Sequence, residues 1–121
     1  MEERHISNIK SKLTQDLSHH WTVEELAKMV EISVSYLYHI CTLETGDAPM
    51  TWLKNLRLDK TREYLADPDC FLQVKEIGVL VGLTNMSHFA KDFKAKFGAT
   101  PTNYRNQQAE IYYSKPPDGQ K

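Results

Sequence analysis

Hydrophobic residues recur at spacings of three or four along almost the whole chain, and no segment alternates like a β-strand over a useful length. The first amphipathic segment runs from about Glu2 to Leu17. A longer one runs from about Pro49 to Leu65, and Pro49 suits the first turn of a helix. The pattern predicts an all-α fold.

Start and stop signals divide the rest of the chain into shorter helices. Thr22, Ser33 and Thr84 each precede a helical run and are predicted N-caps, because their hydroxyl oxygens can accept from the free N–H groups of a first turn. Glu25 stands three residues after Thr22, which is the spacing of a capping box. The predicted stops are Gly46, the breaker Asp67-Pro68-Asp69, the turn residue Gly82, and Gly98.

Two stretches of the chain repeat each other. The first comprises Val23, Leu26, Ala27, Val30, Ile32, Ser33, Leu37, Cys41, Gly46, Pro49 and Trp52. The second comprises Val74, Ile77, Gly78, Val81, Leu83, Thr84, Phe89, Phe93, Gly98, Pro101 and Tyr104. The offset is 51 up to the predicted cap and 52 after it, which predicts one extra residue at the start of the later unit's second helix.

Each repeat has the pattern of a helix-turn-helix unit, with a short helix, a tight turn and a capped second helix. Ala27 and Gly78 are small where two helices are expected to cross closely, and Ile32 and Leu83 are expected to plug each turn into the core. Any small helical bundle contains short capped helices. Two copies in matching order, joined by one long helix, favour a pair of DNA-reading units.

Composition adds one difficulty to this interpretation. The 121 residues include 40% hydrophobic and 26% charged residues, as in a soluble globular protein. The formal net charge of −1 is low for a DNA-binding protein, because phosphate contacts supply much of the affinity. If the protein binds DNA, its positive charge must therefore be concentrated in one part of the molecule. From Asn85 to Arg105 the cations Lys91, Lys94, Lys96 and Arg105 stand against Asp92 alone.

Other features point to a cytoplasmic protein. No apolar run approaches the ~20 residues that span a bilayer. The N-terminus lacks the basic start and apolar stretch of a signal peptide. Cys41 and Cys70 do not make a disulfide framework and are expected to be reduced thiols.

The run from Trp21 to Arg105 resembles the AraC/XylS family of transcription regulators. The most specific part is the ending F-K-x-x-F-G-x-x-P-x-x-Y-R, found at Phe93 to Arg105. The resemblance implies a two-lobed DNA-binding domain of seven helices over residues 1–107. The expected parts are lobe one at about 4–48, a linker helix at about 49–66 and lobe two at about 70–107. Residues 108–121 are expected to form a polar, flexible C-terminal tail.

A few positions depart from the family pattern. Cys41 stands where phenylalanine is usual, and Glu31 where a turn glycine is common, which predicts a tight or slightly strained first turn. Thr61 and Gly78 each replace a usual alanine, and Leu83 replaces a usual phenylalanine. These departures bear on first-lobe stability and turn geometry rather than on the fold.

The second helix of each unit is expected to enter the major groove by its N-terminal part. Tyr38 offers a ring for a thymine methyl, and Lys91 can donate to guanine O6 and N7 or to a phosphate. The predicted base contacts are Ser35, Tyr38, His39, Asn85, Met86, Ser87 and Lys91. The predicted phosphate contacts are Ser33, Thr42, Thr84 and Lys94. The alternatives are plain surface roles for Tyr38 and His39, and a solvated face for Lys94 and Lys96.

The length of the linker helix indicates how the two units could bind one DNA duplex. About 17 helical residues span ~25 Å, and such a strut can place two recognition helices in successive major-groove segments ~34 Å apart. Arg57 within it is expected to be structural, pairing across the lobes with carboxylates such as Asp59.

Two other classes of function are less consistent with the sequence. An enzyme is disfavoured because the chain has no Cys-x-x-Cys, no i, i+4 histidine pair, no glycine-rich phosphate loop and no nucleophile elbow, so that no catalytic residue, metal or cofactor is expected. A protein-interaction module with little DNA affinity is the second alternative. It is motivated by the acidic balance, by Asp92, and by the absence of arginine from both recognition helices.

Expected partners follow from the DNA-binding interpretation. The first is double-stranded DNA, and the family resemblance implies activation of transcription by contact with RNA polymerase. The chain is expected to be either a complete small regulator or a C-terminal domain of a protein with an N-terminal sensor or receiver domain. The helical start at Glu2 favours the excised domain.

Overall fold

Seven α-helices make up the computed structural model, which describes residues 4–114 and shows no β-strand within them. The helices are α1 His5–Gln15, α2 Val23–Met29, α3 Val34–Thr45, α4 Pro49–Ala66, α5 Val74–Val81, α6 Met86–Phe97 and α7 Pro101–Ser114. The all-α prediction and the number of helices are confirmed.

The chain divides into two units, and the division falls inside α4. Unit 1 ends at Arg57 and unit 2 begins at Leu58. Trp52 and Leu53 are buried in the unit 1 half of the helix, and Leu58 and Leu65 are buried in the unit 2 half. Each unit therefore takes part of its core from the helix that sequence patterning assigned to a separate linker.

The core of unit 1 follows the predicted apolar stripe. Ile6, Ile9, Leu13 and Leu17 are all buried, although α1 ends at Gln15 rather than at Leu17. They join buried side chains of the helix-turn-helix, which are Leu26, Ala27, Leu37, Ile40 and Cys41. The core of unit 2 is a hydrophobic cluster whose buried members are Leu58, Leu65, Ile77, Phe89 and Phe93. Its aromatic part, called the aromatic core below, is formed by Phe89 and Phe93 together with the partly buried Phe97 and Tyr104.

The two helix-turn-helix turns begin in the same way, although the second is one residue longer before its cap. Ile32 donates its N–H to the carbonyl oxygen of Ala27 at 3.0 Å, and Leu83 donates to that of Gly78 at 2.8 Å. In each turn, the residue immediately before the donating residue has a left-handed backbone conformation. Its φ is +59° at Glu31 and +86° at Gly82. The predicted strain at Glu31 is confirmed, and a left-handed non-glycine residue costs about 1–2 kcal/mol.

The N-caps are confirmed at two of the three predicted positions. The hydroxyl of Thr22 accepts from Glu25 N at 3.1 Å, and that of Ser33 accepts from Tyr36 N at 3.0 Å. The prediction of Thr84 is wrong, because Asn85 Oδ1 accepts from His88 N at 3.0 Å and α6 begins one residue later. The extra residue of the repeat therefore lies in the turn, at Thr84, and not in the helix.

The carboxyl-terminal helix is longer than the sequence suggested. Residues 108–114 belong to α7, so the prediction of a flexible tail is wrong for them. Ala109 and Tyr112 line a cavity of about 150 Å³ together with Leu65 of α4, so this helical extension lies beside the body of unit 2. The rest of the predicted tail, residues 115–121, lies outside the described residues.

Two arginines are committed to backbone carbonyls. Arg57 donates through Nε to Leu17 O at 2.9 Å and through Nη2 to His19 O at 2.8 Å. Its role is structural as predicted, but the predicted pairing with carboxylates across the lobes is wrong. Burial lowers the pKa of the Arg57 guanidinium. Arg105 donates through Nη1 to Leu72 O at 2.6 Å, so part of its guanidinium group is used in a contact within unit 2.

Gly78 allows α5 and α6 to cross closely, because a β-carbon at this position would lie 2.7 Å from Leu83 O and 3.3 Å from the Phe89 ring. We expect Gly78→Ala to destabilise unit 2 by about 1–3 kcal/mol, since the opposing atom belongs to the backbone of the turn. Urea denaturation followed by circular dichroism measures the change. Lys75→Ala, at an exposed position of the same helix, is the control. Equal midpoints for the two variants would contradict the close approach.

Candidate nucleic-acid interface

The outward face of α3 carries the predicted polar set of unit 1. Leu37, Ile40 and Cys41 are buried and fix the rotation of the helix. The exposed side chains on its other side, at spacings of three and four, are Ser35, Tyr38, His39 and Thr42. Tyr38 is 44% exposed. The structure thus places the four predicted contacts of this helix together.

Neighbouring rings support His39. The centroid of Tyr36 lies 6.3 Å from that of His39 and 6.4 Å from that of His5 on α1. Tyr36 is half-buried, so it can anchor the exposed imidazole to unit 1. Leu43, on the same helix, is 71% exposed, and the sequence analysis did not single it out.

The outward face of α6 agrees less completely with the prediction. Ser87, Lys91 and Lys94 are exposed, as expected. Met86 is half-buried and packs against the aromatic core, so the prediction that it faces outward is wrong. Asn85 is exposed, but its side-chain oxygen Oδ1 already accepts from His88 N in the cap. The side-chain NH₂ group remains available as a donor.

His88 is the residue that sequence reasoning missed on α6. Met86, Phe89, Phe93 and Phe97 follow helical spacings on the core side of the helix. The opposite side then passes through His88, Lys91 and Ala95, all of which are exposed. The phase of the phenylalanines alone would have found His88. The prediction instead counted Met86 as outward and left His88 unassigned.

The two recognition helices differ in charge. α6 carries Lys91, Lys94 and Lys96 against Asp92, whereas α3 carries no lysine or arginine and one exposed carboxylate, Glu44. Lys96 Nζ lies 3.4 Å from Asp59 and 5.7 Å from the centroid of the Phe97 ring, so part of its charge is already paired within unit 2.

One further cation lies beside the end of α6. The guanidinium of Arg62 stands 4.6 Å from the centroid of the Phe97 ring, the same ring that Lys96 approaches. Arg62 is exposed. No pattern in the sequence connects a residue of α4 with this end of α6, because the contact depends on how the helices of unit 2 pack.

Backbone donors add to both faces. Ser33 and Asn85 cap the starts of α3 and α6, and the N–H groups of such first turns can hold phosphate oxygens. Ser33 and Thr84, both predicted phosphate contacts, are exposed at these ends. The arrangement offers backbone donors and, on α6, cations to a polyanion.

Other kinds of site find little support between residues 4 and 114. No group of three or more histidine, cysteine, aspartate or glutamate side chains there could hold a metal ion. Burial raises the pKa of the Cys41 thiol, which keeps it protonated at neutral pH as a core side chain. Over the same residues, no helix combines the length and apolar character that crossing a membrane requires.

Comparison with known proteins gives consistent results. Residues 26–107 match the sequence model of a family described as a helix-turn-helix domain. The transcriptional activator NphR of Rhodococcus is 30% identical over 90 residues, which are 74% of this chain and 26% of that protein. The chain spans about a quarter to a third of the length of the curated relatives it matches.

Solved structures share the fold. An AraC-type transcriptional regulator from Chromobacterium violaceum aligns with a TM-score of 0.79 and 22% identity, covering 88% of this chain and 93% of that one. The DNA-binding domain of AdpA, a global transcriptional factor solved in complex with a target DNA, aligns with a TM-score of 0.77 and 22% identity. That alignment covers 94% of this chain and 97% of the AdpA chain.

Proposed function

The chain belongs to the AraC/XylS-type family of helix-turn-helix transcription regulators, and from this premise we propose that it binds double-stranded DNA sequence-specifically. The second helix of each unit, α3 and α6, is the reading element. Ser35, Tyr38 and His39 read bases from α3, and Ser87 and Lys91 read bases from α6. Lys94 and the helix starts contact phosphates.

The observation that carries the proposal is the duplicated turn. In both units a hydrogen bond closes the turn, a left-handed residue precedes its donor, and a capped second helix follows. A fixed turn sets the angle of the second helix, and its exposed polar face is what a major groove can receive. The likeness of the fold to a domain solved with its target DNA supports this use.

Helix α4, which begins in unit 1 and ends in unit 2, is part of the proposal. Helix α4 has 18 residues and a length of ~27 Å. Two recognition helices on one DNA face fall about one helical turn apart, or ~34 Å. Where the protein spacing is shorter, the duplex bends at a cost of a few kcal/mol.

A salt titration tests DNA binding itself. We expect the affinity for a random duplex to fall steeply between 50 mM and 200 mM salt, because neutralised phosphates release counterions. The alternative is a protein-interaction module with the same fold, motivated by Asp92 and the lack of arginine on both reading helices. A flat salt dependence with weak affinity would favour that alternative and overturn DNA binding.

Lys91 is expected to contribute directly to site recognition. Lys91→Ala should weaken binding to a duplex that the wild-type protein has selected from a random pool. The expected loss is about 1–3 kcal/mol, because the lysine donates to a guanine edge or a neighbouring phosphate. Gel-shift titrations at fixed salt measure this. Lys75→Ala, an exposed lysine on α5, is the matched control and should retain wild-type affinity. Unchanged affinity in Lys91→Ala would remove Lys91 from the interface.

Regulation of transcription is the proposed consequence of binding. The activator name of the Rhodococcus relative supports activation, with RNA polymerase as the proposed partner and the cytoplasm as the proposed compartment. Because this chain aligns with only about a quarter to a third of each of these relatives, a sensor or receiver domain in the intact protein is a further proposed partner. Transcription in vitro from a template carrying the selected site, with and without the protein, tests activation.

A further inference from the structure

We infer that the two units divide the work of recognition: α6 supplies most of the recognition helices' ionic attraction to DNA, and α3 supplies discrimination for a thymine-containing block. This inference rests on the proposed DNA binding and goes beyond it, since the repeat by itself predicts equal roles for the two helices.

The ionic half of the inference follows from where lysines stand on the aligned helices. With the offset of 52 that holds after the caps, His39 corresponds to Lys91 and Thr42 corresponds to Lys94. All four side chains are exposed at these equivalent positions. The two helices thus present the same positions to a duplex, with lysines in α6 and with a histidine and a threonine in α3.

The carboxylates have a different balance on the two helices. On α3, Glu44 is exposed and the helix carries no lysine or arginine, so α3 lacks the permanently charged cations that α6 offers to phosphates. The position equivalent to Glu44 in unit 2 is Lys96, which contacts Asp59 at 3.4 Å. Lys91 and Lys94 are therefore the exposed recognition-helix cations from which counterion release should arise.

The thymine preference follows from the exposed apolar surface of unit 1. Every large hydrophobic side chain that is exposed between residues 4 and 57 lies on α3, and these side chains are Tyr38, 44% exposed, and Leu43, 71% exposed. Unit 2 presents alanine at both equivalent positions, Ala90 and Ala95. The thymine methyl group is the apolar feature that the major groove offers, so an apolar contact from α3 would select thymine.

The first measurement is the slope of log Kobs against log salt concentration for variants of exposed residues. Lys91→Gln and Lys94→Gln should each reduce its magnitude by about 0.9, because each removes one positive charge that displaces counterions at the DNA surface, whether the lysine lies at a base edge or at a phosphate. Tyr38→Ala and Thr42→Ala should leave the slope at the wild-type value. A slope change in these α3 variants equal to that of the lysine variants would overturn the division.

The second measurement replaces thymine by uracil, which removes only the methyl group, at each position of a selected duplex. Duplexes are selected from a random pool with the wild-type protein and again with Tyr38→Ala. The block of conserved base pairs that the wild-type protein selects, and that Tyr38→Ala does not, is assigned to unit 1. Uracil in that block should weaken wild-type binding by about threefold to fivefold per contacted methyl, given the usual worth of a buried apolar carbon.

The Tyr38→Ala and Leu43→Ala variants separate the causes. At least one of them should bind thymine and uracil duplexes equally, and circular dichroism confirms that these surface changes leave the fold intact. Uracil substitution without effect in the unit 1 block, or with equal effect in both blocks, would overturn thymine reading. If the wild-type protein binds no duplex at all, the proposed function itself fails. If it binds DNA but α3 and α6 contribute equally to the salt dependence and to thymine discrimination, only the division between the units fails.

Discussion

Replacing Phe93 with alanine is expected to destabilise unit 2 by about 3–5 kcal/mol, the usual cost of removing a buried phenylalanine. The side chain has 0% exposure. Its ring lies 4.6 Å from that of Phe97, 5.6 Å from that of Tyr104 and 6.1 Å from that of Phe89, measured between centroids. Because α6 is held to unit 2 through this cluster, the variant should also lose the contribution of α6 to DNA binding.

Urea denaturation followed by far-ultraviolet circular dichroism measures the loss of stability. Phe71→Ala removes the same side chain from a position that is 87% exposed, and it should change the unfolding free energy by less than about 0.5 kcal/mol. A Phe93→Ala protein as stable as this control would contradict the placement of the aromatic core. Trp21 and Trp52 both lie in unit 1, so their fluorescence follows that unit separately.

Reversing the charges of Lys91 and Lys94 together is expected to weaken DNA binding by two orders of magnitude or more at 0.15 M salt. Two positive charges at the DNA surface are lost, and two carboxylates face the polyanion instead. The loss should shrink as salt rises, because salt screens the repulsion. Fluorescence anisotropy with a labelled duplex over a salt series measures both effects.

The control for this reversal carries the same change in net charge elsewhere. Lys10→Glu with Lys75→Glu alters exposed lysines on α1 and α5. It should reduce affinity only modestly, because these lysines are not on the recognition helices. An equal loss in both double variants would mean that overall charge, rather than the face of α6, governs binding.

The features that local patterns determine were predictable from the sequence. The stripe from Ile6 to Leu17, the caps at Thr22 and Ser33, and the crossing at Gly78 each depend on residues close in the chain. The exposed face of α3 was predictable for the same reason, since Leu37 and Cys41 fix its phase.

The errors arose where two local signals compete or where distant packing decides. Thr84 and Asn85 are both good caps, and only the packing of Met86 and Phe89 shows that the helix begins after Asn85. The carbonyl partners of Arg57 and Arg105 lie 33 to 40 residues away along the chain, at Leu17, His19 and Leu72. No periodicity encodes such pairs.

The end of α7 illustrates a third kind of error. Residues 108–114 are mostly polar or aromatic, and polarity was taken as a sign of a tail. Glutamine, alanine and glutamate are good helix formers, however, and no glycine or proline interrupts the run. The helix therefore continues past residue 108 and reaches Tyr112, which lines a cavity together with Leu65.

Selection of bound sequences from a pool of random duplexes tests the central claim most directly. If both units read DNA through α3 and α6, the selected duplexes should share two short conserved blocks whose centres lie about 10–10.5 base pairs apart. Selected duplexes that share a single block, or that share no sequence at all, would contradict the account of two reading helices in one chain.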